Sequence, residues 1–330
     1  MCILPFMETA NRIPETLIDA VAYFSDADNA LVFMTEMRWP NGVKCPYCKS
    51  GRNSFLSSRR IWKCMDKECR KQFSVKVGTA FEDSPISLEK WLPCVWLIAN
   101  CKNGVSSYEV ARALGVTQKT AWFMLHRVRL ALQGEGFDKF GGEVEVDETY
   151  IGGKARFMHQ AKKDRVIQAK SGMTGKVAVM GLLERTTRES HSRVKVAVAP
   201  NVKRGAIQGN IRENVEAGST VYTDEFGAYS GLSGYVHNVI NHAERYVDGK
   251  IHTNGMENFW SLLKRSLKGT YVAVEPFHLF RYLDEQAFRF NNRKWNDAQR
   301  FVEAVKSVVG KRLTFADLTG KNLDQTPVMA

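Results

Sequence analysis

Two closely spaced pairs of cysteines constrain the N-terminal part of this chain more tightly than any other feature of its sequence. Two residues separate Cys45 from Cys48, and four separate Cys64 from Cys69. Two such pairs can supply four thiolates at about 2.3 Å to one tetrahedral Zn²⁺, and the wider second pair lies within the range of known ligand spacings. The sequence therefore predicts that Cys45, Cys48, Cys64 and Cys69 bind zinc.

The segment around these cysteines is too short to hold a hydrophobic core of its own. Short apolar runs over residues 54–56, 60–63 and 72–75 predict three strands. A domain of this size needs the metal to contribute its folding energy. We therefore expect a small zinc ribbon over residues 43–85, preceded by an N-terminal helical segment over residues 1–42.

The charge of the chain indicates a polyanionic partner. The formal net charge is +12 in 330 residues, and six basic side chains crowd the predicted ribbon. They favour nucleic-acid binding by the ribbon over a purely scaffolding role. No apolar run is long enough for a membrane span, and the first residues lack the features of a signal peptide. We therefore expect a cytoplasmic protein, in which seven cysteines serve as metal ligands or buried thiols rather than disulfides.

Residues 86–142 contain a predicted helix over residues 88–101, then two predicted helices separated by a glycine turn, and finally a linker. A capping box at Ser106 begins the first helix of this pair, Gly115 provides the turn, and Thr117 caps the second helix. This pattern predicts a helix-turn-helix that binds DNA, although paired helices of this kind also serve as plain structural elements. The residues exposed at the start of the second helix are Gln118, Lys119 and Thr120.

From residue 143 the sequence alternates between strands and helices. Apolar periodicity predicts strands over residues 143–150, 177–183, 194–198 and 220–223, a further short strand over 235–237, and helices over 204–217 and 277–291. This order is close to that of a ribonuclease-H-like fold. The chain is thus predicted to be multidomain, with an α/β ribonuclease-H-like catalytic domain over residues 143–295 and a C-terminal helix and tail over 296–330.

Three carboxylates occupy the strands of this region and the helix that follows. Asp147 lies on the first strand, Asp224 directly follows residues 220–223, and Glu257 lies on a later helix. If the three converge, their mutual repulsion requires cations, and two Mg²⁺ (or Mn²⁺) ions would support phosphoryl transfer. Each acid taken singly could also lie in a surface turn. The neighbouring acids that compete for the assignment are Glu145, Glu148 and Glu225.

The helix that carries Glu257 is amphipathic. Glu257 and Lys264 are seven residues apart, so they share one face at a spacing of roughly 10 Å along the axis. We expect a metal at one end of this face and a DNA phosphate backbone near Lys264 and Arg265, with an ordinary solvated face as the alternative. His252 is expected to contact DNA or orient a carboxylate, a structural role being equally open, and Trp260 is expected in the core.

Several motifs occur along the chain in a characteristic order. They comprise residues 45–48, 69–75, 77–82, 120–127, 146–153, 222–226, 252–265 and 287–293. In these motifs the chain resembles the bacterial insertion-sequence transposases of the DDE type that carry an N-terminal zinc ribbon and are related to the Merlin group of DNA transposons. The resemblance implies that Asp147, Asp224 and Glu257 form the catalytic triad and that Lys264 is the basic residue on the same helix face. The family sometimes has Asn in third place, which makes Asn254 a rival, but the spacing to Lys264 favours Glu257.

The function that the resemblance implies is metal-dependent DNA transposition. Such an enzyme nicks the inverted-repeat ends of an insertion sequence by hydrolysis, and the freed 3′-hydroxyl then joins the target DNA. Its first partner is double-stranded DNA, namely the terminal inverted repeats and the target. Further copies of the enzyme are also partners, because a dimer or a higher multimer must hold the two ends together. A non-catalytic DNA-binding regulator and a ribonuclease-H-like nuclease without joining activity are the alternatives. Either way the protein is expected at the nucleoid and not at a membrane.

Overall fold

The computed structural model of the protein describes residues 13–134, 138–152, 176–187, 190–240 and 252–321. The chain forms two compact units, one of Met1–Gln133 with Asn292–Met329 and the other of Gly134–Asn291. Residues 1–12 of the predicted helical segment, residues 135–137 of the predicted linker and residues 322–330 of the predicted tail lie outside the described residues. None of the helices within the described ranges is both long and apolar enough to span a membrane.

The first unit begins with two short helices, as the sequence predicts. They are α1 (Leu17–Phe24) and α2 (Ala27–Arg38). The two helices are separate because Asp26 caps the N-terminus of α2, where its carboxylate accepts hydrogen bonds from two backbone N–H groups in the first turn. Phe24 and Phe33 are buried against each other, and their rings also contact Phe301 of a later helix.

The cysteine-rich segment forms a three-stranded antiparallel sheet. Its strands, in the order β1-β2-β3, are β1 (Asn53–Leu56), β2 (Ile61–Cys64) and β3 (Gln72–Phe73). The apolar contacts of this sheet are few: the Trp62 ring stacks on Phe73, and Trp39 meets both edge-on. Such a small core agrees with the expectation that the segment depends on a metal.

Three helices complete this part of the first unit. They are α3 (Leu88–Asn100), α4 (Ser107–Leu114) and α5 (Gln118–Leu132). The predicted capping signals are confirmed: Ser106 and Glu109 form a capping box, and the Thr117 hydroxyl accepts from the backbone of Thr120. Gly115 ends α4 with φ of 59°, in the left-handed region that favours glycine. The chain therefore turns sharply from α4 into α5.

The second unit contains a five-stranded mixed sheet with the strand order β6-β5-β4-β7-β8. The strands are β4 (Glu143–Ile151), β5 (Val177–Glu184), β6 (Arg193–Val198), β7 (Thr220–Thr223) and β8 (Val236–Val239), and the helix α6 (Arg204–Asn214) links β6 to β7. β4, β5 and β6 are antiparallel neighbours, whereas β7 runs parallel to β4 and to β8. Each predicted strand is present, with bounds that shift by one or two residues.

Side-chain alternation along β4 places its two faces in different surroundings. Val144 and Val146 are buried in a cluster that includes Ile207 and Ile211 of α6. The opposite face of the sheet is covered by α7 (Asn254–Ser266), which continues as a π-helix, and by α8 (Leu279–Asn291). Because strand side chains alternate, Glu145 and Asp147 point towards the α7 side of the sheet. This orientation determines which carboxylates can meet.

After residue 291 the chain returns to the first unit. It forms α9 (Asp297–Lys306) and α10 (Phe315–Thr319). The sequence predicts a single helix over 301–309 and a polar tail. Instead, α9 starts earlier, because Asn296 and Gln299 form a capping box at its first turn. The second helix, α10, lies in the predicted tail, where Thr314 and Asp317 form another capping box. These helices share one compact unit with the ribbon and with α1–α5. The finer domain boundaries stay a prediction.

Candidate functional site

The four cysteines of the first unit gather as the sequence predicts. The Sγ atoms of Cys45, Cys48, Cys64 and Cys69 all lie within 4.8 Å of one another. Cys45 Sγ is 3.7 Å from Cys69 Sγ, and Cys48 Sγ is 3.5 Å from Cys64 Sγ. Four sulfurs around one Zn²⁺ at about 2.3 Å would be separated by about 3.8 Å. The arrangement therefore fits a tetrahedral zinc site.

The two cysteine pairs have similar loop geometry despite their different lengths. The residue after each pair, Lys49 in one and Arg70 in the other, has a positive φ, of 63° and 53° respectively. In the longer loop the Asp66 carbonyl accepts from the backbone N–H groups of Cys69 and Arg70. This turn accommodates the extra residues between Cys64 and Cys69, so the wider spacing leaves the sulfur positions compatible with zinc.

Backbone N–H groups support a negative charge on the first cysteine. Burial acts to raise the pKa of the Cys45 thiol, but hydrogen bonds from the backbone N–H groups of Cys48 and Tyr47, together with those of the Cys48 and Cys69 side chains, outweigh it and lower the pKa to about 7. Zinc binds the thiolate form of cysteine. The backbone of this loop is thus suited to a metal-binding role.

An open cleft of about 440 Å³ lies on the second unit, between β4 and α7. The residues that line it are Asp147, Glu148, Thr149, Glu257, Trp260, Ser261 and Lys264. Two of the three predicted catalytic acids and the predicted basic residue therefore face one space. Asn254, the rival of Glu257, is exposed on the first turn of α7 and is not among these lining residues.

Both carboxylate oxygens of Asp147 accept hydrogen bonds. Trp260 Nε1 donates to Oδ2 at 3.0 Å, and the backbone N–H of Glu148 donates to Oδ1 at 2.8 Å. Burial and the charges of Asp224 and Glu257 raise the pKa of Asp147, and the two hydrogen bonds oppose this rise, so that the pKa lies at about 6. The three predicted acids are thus close enough to interact electrostatically.

Asp224 is held by the loop that follows β7. Its Oδ1 accepts from the backbone N–H of Phe226 at 3.1 Å, and its carbonyl accepts from the Thr223 hydroxyl at 2.8 Å. The same hydroxyl lies 2.9 Å from His237 Nε2 on β8. Two parallel strands therefore fix the position from which the charge of Asp224 acts on Asp147.

Glu148 is a third acid among the residues that line the cleft, and the sequence treats it only as a competitor of Asp147. Tyr229, buried beneath the sheet, donates a hydrogen bond from its hydroxyl to Glu148 Oε2. Burial raises the pKa of Glu148, the hydrogen bond from Tyr229 opposes the rise and the charges of Asp224 and Asp147 add to it, so that the pKa lies at about 7. No sequence signal links Glu148 to Tyr229, because 81 residues separate them.

Glu145 has a different position from the cleft acids. Its side chain is 1% exposed, and its Oε2 accepts from the backbone N–H of Met256 in the first turn of α7 at 3.0 Å. Arg185 Nε donates to its Oε1 at 2.8 Å. His252 is half-buried next to this pair, with Nδ1 3.0 Å from Arg185 Nη2 and 3.4 Å from Glu145 Oε1. His252 therefore lies beside a carboxylate, and its role, whether DNA contact, orientation of a carboxylate or structural support, stays a prediction.

The remaining predicted DNA contacts differ in exposure. Gln118 Nε2 donates to Ser107 Oγ at 2.9 Å, so this side chain links α5 to α4. The hydroxyl of Thr120 is 2.9 Å from that of Thr117. Lys119 and Arg265 are exposed. Of the three residues at the start of α5, Lys119 is thus the one whose side chain is directed to solvent.

Comparison with known proteins adds to this geometry. A model described as an ISXO2-like transposase domain matches residues 139–291, and a model described as a transposase zinc-ribbon domain matches residues 25–72. An "uncharacterized transposase-like protein" of Haemophilus influenzae is 37% identical over 102 residues, which cover 30% of this chain and 82% of that protein. The chain belongs to the ISXO2-like transposase family.

A second relative extends the similarity to most of the chain. An "uncharacterized protein in transposable element ISH50" of Halobacterium salinarum is 28% identical over 296 residues, which cover 87% of this chain and 97% of that protein. The transposase-domain match contains Asp147, Asp224 and Glu257, and the zinc-ribbon match contains all four clustered cysteines. This membership supports DNA as the partner and Zn²⁺ as the ion of the ribbon.

Proposed function

We propose that this transposase is a catalytically competent DDE enzyme that nicks the inverted-repeat ends of its insertion sequence and joins the freed 3′-hydroxyl to target DNA. The observation that carries the proposal is the cleft lined by Asp147, Glu257 and Lys264 within the matched transposase domain. Oxygen donors and an adjacent cation are the groups that phosphoryl transfer with divalent metals requires.

In this proposal Asp147, Asp224 and Glu257 hold two Mg²⁺ (or Mn²⁺) ions. The donor set fits hard cations, which prefer carboxylate oxygens, and the raised pKa of Asp147 reflects burial and charge repulsion that a cation would relieve. The bound ions would supply charge stabilisation to the attacking and leaving oxygens of an in-line displacement. Lys264, seven residues after Glu257 on the same helix, would bind a phosphate beside the reacting strand.

The topology of the second unit supports a ribonuclease-H-like assignment. Three antiparallel strands followed by a helix and two parallel strands give the order β6-β5-β4-β7-β8, with Asp147 on the central strand. Asp224 follows the strand next to it, and α7 with Glu257 packs on one face. The acids thus occupy positions where strand and helix can share one set of metal ions.

The first unit would supply DNA binding. We assign α4 and α5 to a helix-turn-helix in which Lys119 contacts DNA, with the basic surface of the zinc ribbon as a second contact. Recognition of two element ends at once requires at least two copies of the chain on DNA, at the nucleoid. Arg265, exposed on α7, would extend the phosphate contacts of Lys264.

The test is an assay with Mg²⁺ or Mn²⁺ on a labelled duplex that carries the ends of the parent element, together with a supercoiled target plasmid. We expect wild-type protein to give joined products and Glu257→Gln to give none. Glu225→Gln is the matched control, because Glu225 is exposed and is not one of the residues that line the cleft.

Each of the other outcomes would indicate a different function. Cleavage without joining would indicate a nuclease of ribonuclease-H type. Tight binding of the element ends without cleavage would indicate a DNA-binding regulator. Loss of activity in Glu225→Gln but not in Glu257→Gln would contradict the assignment of the third acid.

A further inference from the structure

Two hydrogen bonds connect the central strand β4 to the helix α7. Glu145 Oε2 accepts from the backbone N–H of Met256 at 3.0 Å. Asp147 Oδ2 accepts from Trp260 Nε1, also at 3.0 Å. The acceptors are two residues apart on the strand and the donors are four residues apart on the helix. Both pairs are spacings at which side chains share one face.

These two spacings match in length as well as in direction. Two residues of a strand span about 6.6 Å, and four residues of a helix span about 6 Å. The helix can therefore meet the strand at both points without sliding. Two contacts along one line fix both the axial position and the rotation of α7 relative to β4. Glu257, next to Met256 on α7, lines the same cleft as Asp147.

A glycine makes room for the second contact. Gly181 of β5 pairs with Asp147 in the strand register. A Cβ at this position would lie 2.7 Å from Trp260 Cζ2 and 2.1 Å from Met256 Cε. Real Cβ atoms do not approach so closely, so a larger residue here would displace the indole ring from the sheet. The indole reaches the carboxylate of Asp147 because residue 181 has no side chain.

The first contact needs compensation for a buried charge. Glu145 is 1% exposed, and Arg185 pairs with it at 2.8 Å, which supplies the opposite charge. The Arg185 guanidinium also donates to the carbonyl of His252 at 2.6 Å and lies 4.0 Å from the ring centre of Tyr222. The N-terminus of a helix further favours a carboxylate at Glu145. The start of α7 is therefore anchored to an ion pair inside the sheet.

We propose that Glu145 and Trp260 are positioning residues that set the spacing between Asp147 and Glu257, with Gly181 providing the space for the indole. The proposal rests on the proposed function, in which these two acids hold divalent cations. Residues that orient metal ligands through hydrogen bonds commonly change metal affinity or activity by 10- to 100-fold when they are replaced.

The test uses full-length, zinc-loaded protein and measures the binding of Mn²⁺ alone by electron paramagnetic resonance, alongside the joining assay. Trp260→Phe keeps an apolar ring and removes the donor to Asp147. We expect it to weaken Mn²⁺ binding by about tenfold, with unchanged zinc content and unchanged binding to DNA. Trp295→Phe, a substitution of the same kind at a half-exposed tryptophan of the first unit, should bind Mn²⁺ like the wild type.

Three further variants keep the test decisive if Trp260→Phe does not fold. Gly181→Ala should weaken Mn²⁺ binding by a similar factor, because the methyl group displaces the indole. Glu145→Gln keeps an acceptor for the Met256 N–H and should lose less affinity than Glu145→Ala. Wild-type Mn²⁺ affinity in the folded variants, even with a lower melting temperature, would overturn the proposal and show a purely structural role.

Failure of the proposed function has a different signature. In that case the wild-type protein would give no joined products with Mn²⁺ or Mg²⁺, whatever the variants do. An active wild type whose variants match it in Mn²⁺ affinity would retain the proposed function and remove only the positioning role of Glu145 and Trp260.

Discussion

The zinc ribbon and the acidic cleft are two candidate metal sites of opposite design. The four thiols come from 25 consecutive positions, 45 to 69, and their sulfurs lie within 4.8 Å of one another. The predicted catalytic acids come from β4, from the loop after β7 and from α7, between positions 147 and 257, and two of them, Asp147 and Glu257, line the cleft. In the part of the chain that the structure describes, no carboxylate set gathers as closely as these sulfurs do.

The difference follows from what each site has to do. A structural zinc site uses all four coordination positions for protein ligands and contributes folding energy to a segment with little core. A catalytic metal site leaves positions open for substrate, so its ligands line an accessible cleft. The second unit can support such a cleft because two clusters of buried apolar residues stabilise its sheet on both faces. Metal therefore holds the ribbon together, whereas the cleft is held by the fold around it.

The largest expected effect is the loss of chemistry in Asp147→Asn. This change keeps the size of the side chain and removes the charge that would bind the cation, so we expect cleavage and joining to fall by at least about 10³-fold. Zinc content and DNA affinity should match the wild type, since the ribbon and α5 are in the other unit. Quantitative strand-transfer kinetics with a parallel DNA-binding titration would measure both. Near-normal joining by this variant would contradict the assignment of the cleft as a catalytic metal site.

Loss of the ribbon in Cys64→Ser is the next largest effect. Structural zinc contributes about 10–16 kcal/mol to comparable small domains, so the ribbon should lose its zinc and become sensitive to protease. The second unit should keep its melting temperature, because its core lies elsewhere. Zinc analysis and limited proteolysis would check both statements, with Cys101→Ser as the control outside the cluster. Retention of zinc by Cys64→Ser would show that another ligand set is in use.

A moderate effect is expected from pH on the second unit without added divalent cation. Burial raises the pKa of Asp147 to about 6 and that of Glu148 to about 7, both above the values of free carboxyl groups. Their contribution to stability is therefore complete below about pH 4 and is lost as the pH rises through these values. We expect the second unit to melt about 3 °C or more higher at pH 5.5 than at pH 8.

Scanning calorimetry on zinc-loaded protein would measure this difference. Mg²⁺ added at pH 8 should restore part of the stability, because cations neutralise the same carboxylates. Glu148→Gln should reduce the pH dependence by removing one of the carboxyl groups with a raised pKa, which also include Asp284 of α8, where burial raises the pKa to about 7. A melting temperature independent of pH between 5.5 and 8 would indicate that the carboxyl groups are not buried as the structure shows.

The smallest effect is expected at the surface of the first unit. Lys119→Ala removes one exposed charge at the start of α5, so DNA affinity should fall by a few-fold, and the slope of log affinity against log salt should decrease by about 0.9. Fluorescence anisotropy at several salt concentrations would give both values. Lys306→Ala on α9 is the matched control. An unchanged salt slope in Lys119→Ala would place the DNA contact elsewhere.

The two sites also differ in how much of them can be predicted from sequence. The thiol ligands are local, so two short spacings suffice to predict them, and the structure confirms that the four sulfurs gather. Capping at Ser106 and Thr117 and the alternation along 143–150 depend on neighbours within a few residues, and they too are confirmed. The start of α9 and the presence of α10 were missed, although their capping boxes are visible in the sequence.

The roles of neighbouring acids depended on the tertiary structure. Alternation along β4 places Glu145 and Asp147 on one face, but nothing local distinguishes a carboxylate paired with Arg185 from one that accepts from Trp260. The contacts that separate them join residues 40 and 113 positions apart. Sequence periodicity determines which face of a strand or helix a side chain occupies. Only the packing of α7 on the sheet, with Gly181 leaving space for the indole, decides which groups on those faces meet.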